Sequence, residues 1–190
     1  MDILKIVITE YNPNWRMFFK NEKKLLKEIF SNQYKTINHI GSTSIPSLTS
    51  KPIVDISIGV EKLCEKDFYS KFLKTIGYKY QTGSEFEKWI LFEKREPEQE
   101  FNLHIMPYNS KRLLDQLIFK NCLLDNKKLI ESYGWLKKHY KEHDDNLFYS
   151  MNKLPFVTRV VESFKEGFSK SSKCSKKELY QYLQNNFIEN

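Results

Sequence analysis

The stretch that most limits what this chain can fold into is Pro52–Val60, PIVDISIGV. β-branched residues crowd it, and apolar side chains fall on both of its alternating faces. A strand of that kind is covered on both sides, which puts it inside a sheet with other elements packed over it. One residue departs from this pattern: Asp55, a carboxylate in the middle of the run. Upstream lies HIGSTS (His39–Ser44), a small, hydroxyl-rich segment. The two features together pose the functional question.

The flanking periodicities supply the other elements. ILKIVIT (Ile3–Thr9) reads as a short strand and YNPNW as a turn, with Asn12 or Asn14 available as a cap and Pro13 near the first helical position. From Trp15 the apolar residues Trp15, Phe18, Phe19, Leu25, Leu26, Ile29 and Phe30 follow helical spacing. Tyr34–Ile40 is β-rich. Glu61–Ile76 predicts a helix with Phe68, Phe72 and Ile76 on one face, closed by Gly77. YKYQ, KWILFEK and FNLHIMPY read as strands separated by turns at Thr82–Ser84 and around Pro97. Helices are expected over about Lys111–Leu124, Asn126–His143 and Asn152–Phe168. A polar linker, Ser169–Ser175, and a short terminal helix in KKELYQYLQNNF would follow. The aromatics Trp15, Phe18, Phe19, Phe68 and Phe72 fall at helical spacing and read as core. The fold class is α+β: one mixed sheet with flanking helices over about residues 1–110, then a helical part over about 111–170, with 171–190 as an extension.

The 190 residues suffice for a substantial core. Lys+Arg 31 against Asp+Glu 24 gives a net charge of +7, which favours anionic partners: nucleotides, other phosphorylated small molecules or, on charge alone, nucleic acid. The three cysteines, Cys64, Cys122 and Cys174, are far apart and form no CxxC pair. That spacing suits a reducing compartment. No signal-peptide pattern and no apolar run of membrane-spanning length is present, so the expectation is a cytoplasmic protein with no membrane partner. Oligomeric state is not legible.

Two readings of the central segment stand side by side. GSTSIPSLTSKP can be only a polar loop between strands, with Asp55 satisfied by backbone donors or a cation. Alternatively, Gly41 leaves room for a close backbone approach, Ser42 and Thr43 offer hydroxyls and N–H groups, and a helix beginning near Ser44 or Pro46 would favour an anion. Asp55 on the adjoining strand would then hold Mg²⁺, since hard cations take carboxylate oxygens. Phosphate on a Gly-Ser turn and metal on a strand Asp is how phosphoryl-transfer sites are assembled. Neither GxxxxGK[ST] nor GxGxxG is present.

YNPNW, HIGSTSIPSLTSKPIVDISIGV, FNLHIMPYNS and NKLPFV occur in the order and spacing of the GrpB family, within the nucleotidyltransferase-fold superfamily. The chain resembles that family over about Val7 to Phe168, most specifically over His39–Val60. The resemblance implies a nucleotidyltransferase-like core. In active members of the superfamily a Gly-Ser turn handles the triphosphate, two acids two apart on the next strand bind divalent metal, and a later strand adds a third acid. Matched to this sequence, Gly41 and Ser42 are the turn and Asp55 is the first acid. Ser57 occupies the second position. The later strand, EFNLHIMPY, carries His104 in its core, Glu100 at its edge and Asn102 where a His is typical of the family. One Asp, one Ser and one His bind one metal at most, so the resemblance leaves open a Mg²⁺-dependent nucleotidyltransferase with an unknown acceptor and a non-catalytic nucleotide-binding or regulatory module.

Further candidates complete the set. His104 is the expected second metal ligand or base, and His39 joins it if both reach Asp55; otherwise each is a hydrogen-bonded core histidine. Lys51, directly before the Asp55 strand, is a candidate phosphate contact. So is Lys94, which together with Arg95 ends the strand KWILFEKR. Lys153 is a third, its place in YSMNKLPFV matching a family segment in which a Lys precedes the final helix. A solvated surface is the plain alternative for each. His139 and His143 have the i, i+4 spacing of two zinc ligands but no third, and read as a polar helix end.

Overall fold

The computed structural model describes residues 7–81, 88–141 and 146–172. Five strands form one mixed sheet in the order β1-β2-β5-β4-β3, with β1 Thr36–Ile40, β2 Ile53–Val60, β3 Lys79–Gln81, β4 Ile90–Arg95 and β5 Glu100–Pro107. β2 pairs antiparallel with β1 and parallel with β5; β4 pairs antiparallel with both β5 and β3. The expected central position of the Asp55 strand follows: β2 has a neighbour on each edge and a covered surface on each face.

One face of the sheet packs under α1 (Asn14–Phe30) and α2 (Lys66–Leu73). Val54, Ile56, Ile58 and Val60 of β2 join Phe101, Leu103 and Ile105 of β5 in a core with Trp15, Phe19, Leu26 and Phe30. α1 starts at the expected turn, where the Asn12 side chain accepts a hydrogen bond from Asn14 N–H at 3.0 Å. The Glu61–Ile76 helix is shorter than predicted: α2 is followed by a single 3₁₀ turn, and Gly77 closes it at φ +89°. Its buried residues are Tyr69 and Leu73, while Phe68 is 39% exposed, so the inward stripe sits one residue later than the Phe68–Phe72–Ile76 reading.

The opposite face is covered by the helical part: α3 Lys111–Leu124, α4 Lys127–Tyr140 and α5 Asn146–Ser172. Ile40, Met106, Leu113 and Leu117 seal α3 against the sheet. Ile45, Leu48, Leu123 and Tyr133 form the next cluster outward, with Phe156, Val157 and Val160 of α5 against it. Asn126 caps α4 by accepting from the N–H groups of Lys128 and Leu129. α5 runs further than expected in both directions, taking Pro155 in its interior and absorbing the first part of the Ser169–Ser175 linker. The Ile3–Thr9 strand falls mostly outside the described residues; Thr9 itself makes an isolated antiparallel bridge to Ser50. The turn at Thr82–Ser84, the rest of the linker and the terminal helix also lie outside them. Among the described residues, no helix is long and apolar enough to cross a membrane.

Candidate functional site

Strand register decides which side chains meet. Asp55 lies opposite Asn102 and Ser57 opposite His104 across the β2–β5 pair, and Ile40 lies opposite Asp55 on β1. Alternation therefore places Asp55, Ser57, Asn102 and His104 on the face toward the helical part. Asp55 Oδ1 accepts a hydrogen bond from Asn102 Nδ2 at 2.9 Å, and His104 Nε2 lies 3.5 Å from the same oxygen. The Asn102 amide is in turn held by Arg95, whose Nη2 donates to Asn102 Oδ1 at 2.8 Å. Arg95 also donates to the Phe101 carbonyl and pairs with Glu93 and Glu100, so it is fixed on several sides. The His104 ring stacks on Trp89, which carries the Arg112 guanidinium 3.9 Å from its centroid.

The Gly-Ser turn sits directly against Asp55. Gly41 adopts φ 67°, ψ −174°, a conformation open in practice to glycine alone. Ser44 Oγ donates to the Gly41 carbonyl at 2.6 Å, tightening the turn. Residues Ser42–Ser44 form one 3₁₀ turn rather than the start of a longer helix, so the anion-favouring helix end expected near Ser44 or Pro46 is not formed. Thr43 is buried and its Oγ1 lies 3.1 Å from His39 Nε2.

Asp55 stands in the wall between two recesses. The larger, of about 840 Å³, is bordered by Gly41, Ser42, Asp55 and His104 on the sheet side and by α3, α4 and α5 on the other. The smaller, of about 200 Å³, is lined by Ser42, Thr43, Lys51, Asp55, Asn102, Tyr149 and Lys153. Burial opposes ionisation of Asp55, but the proximity of His104, the Asn102 hydrogen bond and the His39 charge outweigh it and hold the carboxyl below its ordinary value. Lys51 and Lys153 both lie over the Tyr149 ring, at 4.7 and 3.8 Å from its centroid. Lys137, on α4, lies 5.1 Å from the Tyr133 centroid and donates to the Thr49 carbonyl. Burial lowers all three lysines. Lys153 falls to about 8, with the Lys51 charge adding to burial, and Lys137 falls to about 7, with the Lys153 charge adding. Burial raises Tyr133 and Tyr149, which stay neutral.

The structure thus brings Gly41, Ser42, Thr43, Lys51, Asp55, His104 and Lys153 to one region, and sets two expected residues apart. His39, on β1, pairs with Ile56 of β2, so its ring faces the α1 side and stacks on Phe19 at 4.8 Å instead of reaching Asp55 as a ligand. Lys94 pairs with Phe101, points the same way and is ion-paired with Glu22 of α1 at 3.2 Å; it does not line the cleft. Lys137, Tyr133 and Tyr149 were not anticipated. A signal was present: Tyr133–Lys137 and Tyr149–Lys153 are both Tyr-x-x-x-Lys pairs at helical spacing. His139 stacks on Trp135, and His143 lies outside the described residues.

As a metal site the donor set is thin. Among the described residues no group of three His, Cys, Asp or Glu side chains could hold an ion. Ser57 is fully buried and contributes no charge. A two-metal centre does not fit. A single Mg²⁺ fits, because that ion often takes one carboxylate from the protein and completes its shell with waters and ligand phosphates; Asp55 would hold it.

A family model described as GrpB protein matches residues 5–163. The chain is similar to a glutamate-rich protein GrpB of Alkalihalophilus pseudofirmus, at 29% identity over 83% of this chain and 94% of that protein. It is also similar to a UPF0157 protein of Halalkalibacterium halodurans, at 28% identity over 73% and 71% of the two chains. Among solved structures, the crystal structure of conserved protein GrpB from Enterococcus faecalis superposes with a TM-score of 0.75 at 30% identity, covering 85% of this chain and 99% of that one.

Proposed function

The chain belongs to the GrpB family, and from that premise we propose that it binds a nucleoside triphosphate, or a closely related phosphorylated small molecule, in the cleft over β2 and β5, with one Mg²⁺ on Asp55. What carries the reading is the position of Asp55: it lies in the shared wall of two recesses, against the Gly41–Ser42 turn and on the same recess as Lys51 and Lys153. Gly41 lets the turn approach the carboxylate, Ser42 borders both recesses, and the lysines supply positive charge for phosphate oxygens. The bound ion would neutralise phosphate charge. The remaining ligand body has the larger cleft, whose volume of about 840 Å³ lies within the roughly 300–1,000 Å³ usual for small-molecule sites. With a single carboxylate in place, the reading is a binding module first.

A second reading, transfer of a nucleotidyl group to an acceptor, is favoured by His104. Its ring borders the larger cleft and its Nε2 faces Asp55, so the carboxylate orients the imidazole.

Calorimetry with ATP, CTP, GTP and UTP, with Mg²⁺ or with a chelator, on the wild type and Asp55→Ala, tests both. The expected result is binding of at least one nucleotide that weakens without Mg²⁺ and in Asp55→Ala. Absence of binding under every condition overturns both readings. Binding indifferent to Mg²⁺ and to Asp55→Ala removes the metal from the first. Pyrophosphate release that disappears in His104→Ala would support transfer; nucleotide binding with no release across a panel of acceptors would count against it.

A further inference from the structure

We propose that the smaller recess is a separate subsite for the phosphate end of the ligand, lined by Lys51 and Lys153 with the buried Lys137 behind them, and that it takes an oligophosphate anion in its own right. This rests on the reading that the cleft receives a phosphorylated molecule.

Size is the first argument. At about 200 Å³ the recess is well below the roughly 300–1,000 Å³ of a small-molecule site, so it takes one end of a ligand and not the whole. Charge is the second. Among the described residues Asp55 is the one carboxylate lining it, against Lys51 and Lys153 in the lining and Lys137 close enough to Lys153 for their charges to interact. The lysines come from three separate elements: the loop before β2, α4 and α5. Bringing Lys51 and Lys153 together beside the buried Lys137 costs desolvation and mutual repulsion. An anion offsets both.

The lysines are also held in place. The Lys51 and Lys153 ammonium groups share the Tyr149 ring, and Lys137 lies over Tyr133 while bonded to the Thr49 carbonyl. Aromatic rings at these distances attract the ammonium groups and hold them in place. The groups facing this cluster are Asp55 and Lys51 from β2 and its leading loop, His104 from β5, Tyr133 and Lys137 from α4, and Tyr149 and Lys153 from α5. With Lys153 at about 8 and Lys137 at about 7, the resting cluster is short of protons near neutrality. An arriving anion favours the ammonium forms, so binding takes up protons.

The test is titration of the full chain with inorganic tripolyphosphate in the presence of a chelator, repeated in two buffers of different ionisation enthalpy. Binding with net proton uptake near pH 7.5 is expected. Lys153→Met and Lys51→Met should each weaken it about tenfold, the loss of one charge-assisted contact. Lys153→Arg should retain most of the affinity. Lys35→Met, outside both recesses and paired with Glu61, should leave it unchanged. Thermal melting checks that each variant is folded. No tripolyphosphate binding, or binding indifferent to both Lys51→Met and Lys153→Met, overturns the subsite. If nucleotides bind but tripolyphosphate neither binds nor competes, the subsite falls and the nucleotide reading stands. If tripolyphosphate binds with the expected lysine dependence and no nucleotide does, the subsite stands and the nucleotide reading falls.

Discussion

Gly41 and Asp55 touch so closely that no side chain can come between them. A Cβ built on Gly41 would stand 2.9 Å from both Cβ and Cγ of Asp55, with Oδ2 closer still. The turn and the carboxylate are thus one unit, fixed by a backbone conformation at φ +67° that excludes other residues.

Gly41→Ala should therefore damage stability and site together. The strained conformation alone is expected to cost about 1–3 kcal/mol, and the Asp55 side chain must also swing away to admit the methyl group. Denaturant unfolding gives the first quantity and nucleotide titration the second. A variant that keeps wild-type affinity would mean the turn and the carboxylate act independently.

Lys94→Met should unfold more easily while leaving ligand affinity alone. Lys94 and Glu22 are each under a tenth exposed and face each other at 3.2 Å on the α1 side of the sheet. Removing the lysine strands a buried carboxylate, a loss of about 3 kcal/mol or more. Chemical denaturation beside a nucleotide titration separates the two effects; a drop in affinity at unchanged stability would return Lys94 to the site.

Ser57→Asp should not create a second metal ligand. Ser57 shares a face with Asp55, but its side chain is fully buried beside Asn38, whose Nδ2 lies 3.5 Å from Ser57 Oγ. A carboxylate there is both too large and poorly solvated, with an expected cost of about 2 kcal/mol or more. The melting temperature should fall, and the Mg²⁺ dependence of nucleotide binding should match that of the wild type.

Stability of the unliganded protein should rise with pH between about 7 and 10. Lys137 titrates at about 7 in the folded chain and at its ordinary 10.5 when unfolded. Between those values unfolding takes up a proton, so raising the pH disfavours unfolding. Lys153, at about 8, adds to the upper part of the same window. Lys137→Met should flatten the rise, which denaturant midpoints across the pH range would reveal. A slope unchanged in Lys137→Met would mean that the lysine keeps its proton in the fold.

The sheet was legible because its central strand declares itself: Ile and Val on both faces leave few arrangements but an interior position. Asp55 was legible for the same reason, as the residue that breaks the run. What the sequence withheld was register. Lys94 and Arg95 are neighbours at the end of one strand, yet Arg95 supports Asn102 beneath Asp55 while Lys94 faces the other side of the sheet. Which of the two reaches the site depends on β4 pairing Lys94 with Phe101, a relation between strands that no single-strand pattern contains. His39 misses Asp55 for the same reason, paired with Ile56. Lys137 was hidden differently. Amphipathic helices carry many lysines, and only the repetition of a Tyr–Lys spacing on two helices, meaningful once those helices are seen side by side, sets this one apart.

The contribution of α5 to the lysine recess bears on how the protein is made. During synthesis the sheet has all its strands once β5 has left the ribosome, and the core under α1 and α2 can close at that stage. Tyr149 and Lys153 emerge later, on the last of the described helices. A chain interrupted before that helix would carry Asp55 and the glycine turn with one wall of the recess missing and the cluster of Ile45, Leu48 and Tyr133 without its α5 cover. The recess is therefore completed after the sheet, by a helix that also closes the core on the helical side.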